Sequence, residues 1–202
     1  MRDRLVRPGV LVVLLMAANG LIGVSSAHSQ ADLTSRVQEA VSDLPYYGVF
    51  DVLGFKVHGD TVTVGGYAYN HDLTERVEGS LSAIDGVSVV VNNIELLART
   101  TVSDDIRWGV YRAIYSDRLL RRYGPQDPRV GDPTFSGPGS GSAFGSPAGE
   151  PVGPFAIHIV VKGREVLLVG QVLSEDDREL AGFHAGHTPR VDAVVNRLTV
   201  AE

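Results

Sequence analysis

Shifting the chain against itself by 104 residues brings residues 59–96 onto 163–200 without a gap. Identical pairs are Gly59/Gly163, Val62/Val166, Gly66/Gly170, Asp72/Asp176, Glu75/Glu179, Val87/Val191, Val90/Val194, Val91/Val195 and Asn92/Asn196. Apolar character also matches at Val64/Leu168, Ala68/Val172, Ile94/Leu198 and Leu96/Val200. No feature constrains the fold more. A slip of one residue would turn every strand over, so a gapless match through strand and helix regions predicts two copies of one small unit.

Each copy has the same order of elements. In the first, Asp32 is the expected N-cap of a helix carrying Leu33, Val37, Val41 and Leu44 at helical spacing, with Pro45 near its end. Leu53, Phe55 and Val57 alternate as a strand; His58, Gly59 and Asp60 make a turn; Val62 and Val64 alternate again, with Gly66 and Ala68 on the same face. Asn70 is the expected cap of a helix with Leu73, Val77, Leu81 and Ile84 in one stripe. Asp85 and Gly86 end it, and 87–96 forms the last strand. The second copy opens with a helix over 103–123, then alternation at Phe155, Ile157, Ile159 and Val161. A turn at Lys162, Gly163 and Arg164 leads to Val166, Leu168, Gly170 and Val172. Ser174 with Glu175, Asp176 and Asp177 suits a helix start, because acids there complement the helix dipole. The final strand is 191–200. The last helix contains Gly182 and Gly186 and precedes Pro189, which predicts a short, weak element.

One segment breaks the symmetry. Residues 124–153 hold eight glycines and six prolines with interspersed serines, in a connection that the first copy makes in a few residues. That composition buries too little apolar surface to order itself and predicts a disordered loop. Phe135 and Phe144 are its candidate docking points.

Residues 1–27 have the three-part layout of a cleaved secretory signal: Arg2, Arg4 and Arg7, an apolar run from Val10 to Val24, then Ser25, Ser26 and Ala27. The run would span roughly 22 Å as a helix, short of a bilayer's roughly 30 Å hydrocarbon core, so cleavage after Ala27 is expected rather than a retained anchor. An exported chain with no cysteine needs a core that holds without disulfides, and it has no thiolate zinc site or cysteine nucleophile. Without the leader the chain keeps 15 basic and 23 acidic residues, a balance that excludes general nucleic-acid binding and bulk attraction to anionic lipid. Contact with an anionic surface would need a local basic patch.

Two ordered signatures now stand in the chain: Gly59-x-x-Val62-x-Val64-x-Gly66 followed by Gly86-Val87-x-x-Val90-x-Asn92-x-Ile94, and Gly163-x-x-Val166-x-Leu168-x-Gly170 followed by Val191-x-x-Val194-x-Asn196-x-Leu198. Each resembles the BON domain, and together they cover 32–98 and 103–200. Arg190 departs from the pattern, standing where a glycine precedes the valine. The resemblance implies an α+β fold of two αββαβ domains, each a three-stranded mixed sheet with two helices on one face. It also implies a non-enzymatic module of the periplasm or envelope (or secreted) that binds phospholipid surfaces, with a role in envelope maintenance or stress protection.

The candidate lipid site lies in the helix over 103–123. Ile106, Val110, Ala113 and Asp117 mark one face; Trp108, Tyr111, Tyr115 and Leu119 mark another. Arg118, Arg121 and Arg122 follow at its C-terminal end, with Arg112 before them. Aromatic rings beside guanidinium groups suit the headgroup level of a bilayer, and each basic residue there contributes about 1 kcal/mol. Trp108, Arg112, Tyr115, Arg118, Arg121 and Arg122 are therefore the expected contacts with an anionic phospholipid surface. The alternative places Trp108 between the two units and makes the chain a protein-interaction scaffold in the envelope, without direct lipid binding.

Other candidates fall to simpler explanations. His184 and His187 are spaced to share a metal, but no third ligand is marked. His158 sits at an outward strand position and is expected to be solvated. The acidic clusters 104–105 and 175–177 follow helix-start serines and read as capping, not calcium or acid-base chemistry. Asn92 and Asn196 read as local backbone hydrogen-bonding devices. No cofactor motif, nucleophile elbow or phosphate-cradling loop is present, so no catalytic residue, metal site or cofactor is expected.

Overall fold

The computed structural model describes residues 24–44, 47–125 and 151–201. Most of the expected signal segment, Pro45, and most of the Gly/Pro-rich insertion with Phe135 and Phe144 lie outside the described residues.

The element order is α1 (Val24–Ser42), β1 (Val52–His58), β2 (Thr61–Ala68), α2 (His71–Ser82), β3 (Val89–Leu96), then α3 (Thr101–Tyr115), a 3-10 turn (Leu120–Tyr123), β4 (Ile157–Lys162), β5 (Glu165–Val172), α4 (Glu175–Gly186) and β6 (Ala193–Val200). Two three-stranded mixed sheets result, ordered β1-β2-β3 and β4-β5-β6. In each the first pair is antiparallel and the second parallel. Even the register repeats: Leu53 faces Gly66 and Ile157 faces Gly170; Val64 faces Asn92 and Leu168 faces Asn196.

The repeated glycines and asparagines explain why the register is fixed. Gly66 and Gly170 have φ of +132° and +137°, and a Cβ there would stand 2.0 Å from the Val52 carbonyl oxygen or 1.9 Å from that of Ala156. Only glycine admits the close strand approach. The Asn92 side chain accepts from the backbone N–H of Ile94 and donates to the Thr74 carbonyl. Asn196 accepts from Leu198 and donates to Arg178. The bonds to Ile94 and Leu198 are the local backbone contacts the sequence predicts; the bonds to Thr74 and Arg178, 18 residues away, also tie each edge strand to the second helix of its own unit.

Several boundaries differ from expectation. α1 begins at Val24, so 24–27 of the expected leader are helical and Asp32 lies within the helix rather than capping it. Asn70 and Ser174 do cap α2 and α4. Thr100 caps α3, with Ser103 completing a reciprocal capping box. The long helix over 103–123 divides: α3 ends at Tyr115 and a separate 3-10 turn follows. α4 runs 12 residues, matching α2 despite its glycines. Gly182 lets the Asn196 amide come within 2.8 Å of where its Cβ would be, so tertiary contact outweighs weak propensity.

Unit one buries Leu33, Val37, Val41 and Leu44 of the α1 region against Val62, Val64 and Ala68 of β2 and Leu73, Val77 and Leu81 of α2. The core of unit two is larger because it reaches across: Val49, Phe50, Tyr69 and Leu97 of the first unit belong to it.

Candidate membrane-facing site

α3 is buried on more than one side. Ile106, Val110 and Ile114 are fully buried, and Tyr111 nearly so. The Trp108 ring meets Phe50 of unit one edge-on at 5.5 Å between centroids and Tyr111 at 5.7 Å. Tyr115 packs on Tyr111 and Phe155, and its hydroxyl donates to the Ile157 carbonyl. Burial pushes its pKa well up. Two of the six expected lipid contacts, Trp108 and Tyr115, are thus engaged in packing, the first of them across the boundary between units.

The boundary is held by more than aromatics. Segment 47–51 lies along β4: the Val49 carbonyl accepts from Ile159, and Val49 N–H donates to Pro151. The carboxylate of the fully buried Asp51 accepts from the backbone N–H of Gly48 and Tyr69, both at 2.8 Å. His158, expected in solvent, is instead half-buried at this seam; a ring nitrogen lies 3.1 Å from the Gly48 carbonyl, and the ring packs on Tyr47. Burial lowers its pKa, although backbone hydrogen bonds to Gly48, Asp51 and Phe155 oppose the shift. The cation that the sequence reading overlooks is Arg107. It is fully buried, donates through Nη2 to Ala98 of the linker and Val161 of β4, pairs through Nη1 with Asp104 at 2.6 Å, and lies over the Tyr69 ring. A buried guanidinium needs such partners; here both terminal nitrogens have them, while the buried Nε has none. Its sole sequence signal is its place four residues after a capping serine.

The remaining expected contacts gather at the other end of α3. Arg112, Arg118, Arg121 and Arg122 are all exposed, the first in the last turn of α3 and the others in 117–123. No ion-pair partner is found for Arg112, Arg118 or Arg121 among the described residues. Asp117 shapes the turn: one carboxylate oxygen accepts from the backbone N–H of Leu119 and Leu120, and the other lies 3.1 Å from His184 Nε2 on α4. Leu120 and Tyr123 point inward, while the arginines and Leu119 point out. At the far end of α4, Tyr123 donates to Asp177, which also pairs with Arg122, and Tyr123 accepts from the backbone N–H of Leu173. The turn is therefore fastened to both ends of α4.

Three apolar side chains on or next to residues of this turn and its fastenings are exposed: Leu119 (53%), Leu173 (63%), whose backbone N–H donates to Tyr123, and Phe183 (57%), which adjoins His184. Sequence reasoning missed the last two. The signal was available in the broken symmetry of the repeat. Phe183 occupies the position of Gly79, and Leu173 that of Tyr69, which is buried at the seam.

Residues 148–202 match the family model of the BON domain. The match covers unit two from just before β4 to the chain end; unit one shares its topology and register and is BON-like on those grounds. No functionally curated protein matches the chain. Among solved structures, one similar chain is CdsD, a structural protein of the type III secretion system of Chlamydia trachomatis. It is 12% identical with a TM-score of 0.28, over 85% of this chain and 94% of that one. The C-terminal domain of the same protein aligns at 10% identity with a TM-score of 0.28, over 86% and 99%. At such scores the superpositions are too loose to bear on fold or function. BON domains are in general membrane- and phospholipid-binding modules. No described helix is long and apolar enough to cross a membrane, and the described residues contain no group of three or more candidate metal ligands.

Proposed function

We propose that this protein is a non-enzymatic module of the bacterial envelope that binds anionic phospholipid surfaces through unit two. The observation that carries the reading is the turn at 117–123, where the exposed Arg118 and Arg121, with no ion-pair partner among the described residues, stand with Arg122 around an exposed leucine. Guanidinium groups engage phosphates while short apolar side chains enter the interface. The site is the expected one with its aromatic members exchanged: Arg112, Arg118, Arg121 and Arg122 remain, while Leu119, Leu173 and Phe183 replace Trp108 and Tyr115.

Charge distribution favours this orientation. Residues 28–99 carry ten acids and four bases, whereas 100–201 carry twelve acids and eleven bases. Unit one is repelled by an anionic surface and unit two is nearly neutral, so the arginine turn faces the membrane.

The test is co-sedimentation of the chain with phosphatidylglycerol-containing vesicles, set against purely zwitterionic ones. The zwitterionic arm reports apolar insertion alone, including that of the N-terminal segment. The expected outcome is an anionic excess that falls about 25-fold when Arg118 and Arg121 become Gln, at about 1 kcal/mol per charge. An unchanged excess refutes the site. The scaffold reading has its own supporting observation: β3 lies at a sheet edge and exposes Val89, Val91 and Leu96 on the acidic unit. Vesicle binding absent at low salt would favour it.

A further inference from the structure

Two histidines flank the most exposed aromatic ring of the membrane-facing site. Phe183 stacks on His187 with ring centroids 3.9 Å apart and meets His184 edge-on at 6.0 Å. His187 is exposed, and a ring nitrogen lies 2.8 Å from the Phe183 carbonyl. His184 is half-buried, and its Nε2 reaches Asp117, the carboxylate that holds the arginine turn in shape. We infer that membrane binding by this site, on the reading proposed above, is strengthened by mild acid, because His184 and His187 each add a positive charge beside Phe183 and the arginine turn.

The surroundings give this charge its effect. Asp117 is the acid that faces His184 from the α3 side; a protonated imidazole offsets its negative charge, which otherwise weakens the pull of Arg118 and Arg121 on an anionic surface. Burial alone would raise the Asp117 carboxyl, but hydrogen bonds from Leu119, Leu120 and His184 outweigh it and hold the group below its ordinary value. The carboxylate therefore stays charged in mild acid. Elsewhere on α4, Arg178 pairs with Glu175 and Asp177 with Arg122 of the 3-10 turn, while Asp176 and Glu179 are the acids of the helix that have no ion-pair partner among the described residues. Beyond its C-terminus Arg190 pairs with Asp105 of α3. β6 presents Val194 and Asn196 to α4. Imidazole protonation is the side-chain charge change generally available between about pH 5 and pH 8.

The experiment measures affinity of the full chain for vesicles of equal parts phosphatidylglycerol and phosphatidylcholine at about pH 7.5 and about pH 5.5, at constant ionic strength. Wild type should bind on the order of 10-fold more tightly at the lower pH, with about five-fold expected per added charge. His184→Gln/His187→Gln should lose the rise between the two pH values, which separates these residues from the other histidines of the chain. His187→Lys, at an exposed position that does not endanger folding, should bind about five-fold more tightly at pH 7.5 and show a smaller rise. A pH ratio unchanged in the double variant overturns the inference, as does strong wild-type binding that ignores pH. No anionic binding at either pH overturns the membrane reading and this inference together.

Discussion

Arg190 is the residue at which the two copies differ most tellingly. Its counterpart Gly86 has φ of +96°, and Arg190 keeps the left-handed backbone with φ of +71°. A non-glycine residue there costs about 1 kcal/mol. Against that stands an exposed ion pair between Arg190 and Asp105 at 2.7 Å, worth well under 1 kcal/mol. The two effects separate in one background. With Asp105→Ala already made, Arg190→Gly should stabilise the protein by about 1 kcal/mol and raise Tm by roughly 2–4 °C in a thermal melt. No gain would mean that the surrounding turn relaxes the strain. Most of what operates at this scale was legible, because a residue repeated at 104-residue spacing declares that its backbone or hydrogen bonds require it. Gly66 and Gly170, and Asn92 and Asn196, were found in that way. Arg107 was not, since nothing in its neighbourhood shows that Val161, 54 residues away, will accept its hydrogen bond.

α3 shows what periodicity can and cannot say about an element. Its pattern correctly marks two apolar faces, but does not say which is covered by the chain itself. The covering residue is Phe50, in a connection that carries no periodic signal. The Phe50–Trp108 contact should show a coupling of about 1 kcal/mol in a double-mutant cycle of Phe50→Ala and Trp108→Ala, read by chemical denaturation. Zero coupling would mean that the units dock without this pair. α4 is the opposite case, where two glycines suggested weakness and instead permit Asn196 and Val194 to approach. The candidate site was only half legible for a related reason. The arginines stand together in sequence, while Leu173, whose backbone N–H donates to Tyr123, and Phe183, next to the His184 that reaches Asp117, are brought to the turn by contacts that no linear pattern displays.

At the scale of the whole molecule the seam joins the two units, and it carries a pH dependence. His158 is held neutral there, with its folded pKa below that of the unfolded chain, burial being the main cause. The unfolded state then binds the extra proton first, so the stability contributed by a neutral His158 is complete above about pH 6.5 and is lost as pH falls below it, by up to 1.4 kcal/mol per pH unit. His158→Gln, which retains a donor for Gly48, should flatten the stability profile between about pH 6.5 and pH 5 relative to wild type in urea melts. Parallel profiles would show that the imidazole is solvated when charged.

Because Phe50, Tyr69 and Leu97 are completed only by residues that come later in the chain, order of synthesis matters. Unit one emerges first with these aromatic and apolar side chains uncovered, and the Tyr47 to Asp51 segment has no strand to lie against until β4 has been made. Until then the nascent chain presents a sticky end of the kind that chaperones hold. Unit one thus has a core of its own, but its Phe50 edge waits for unit two to be covered.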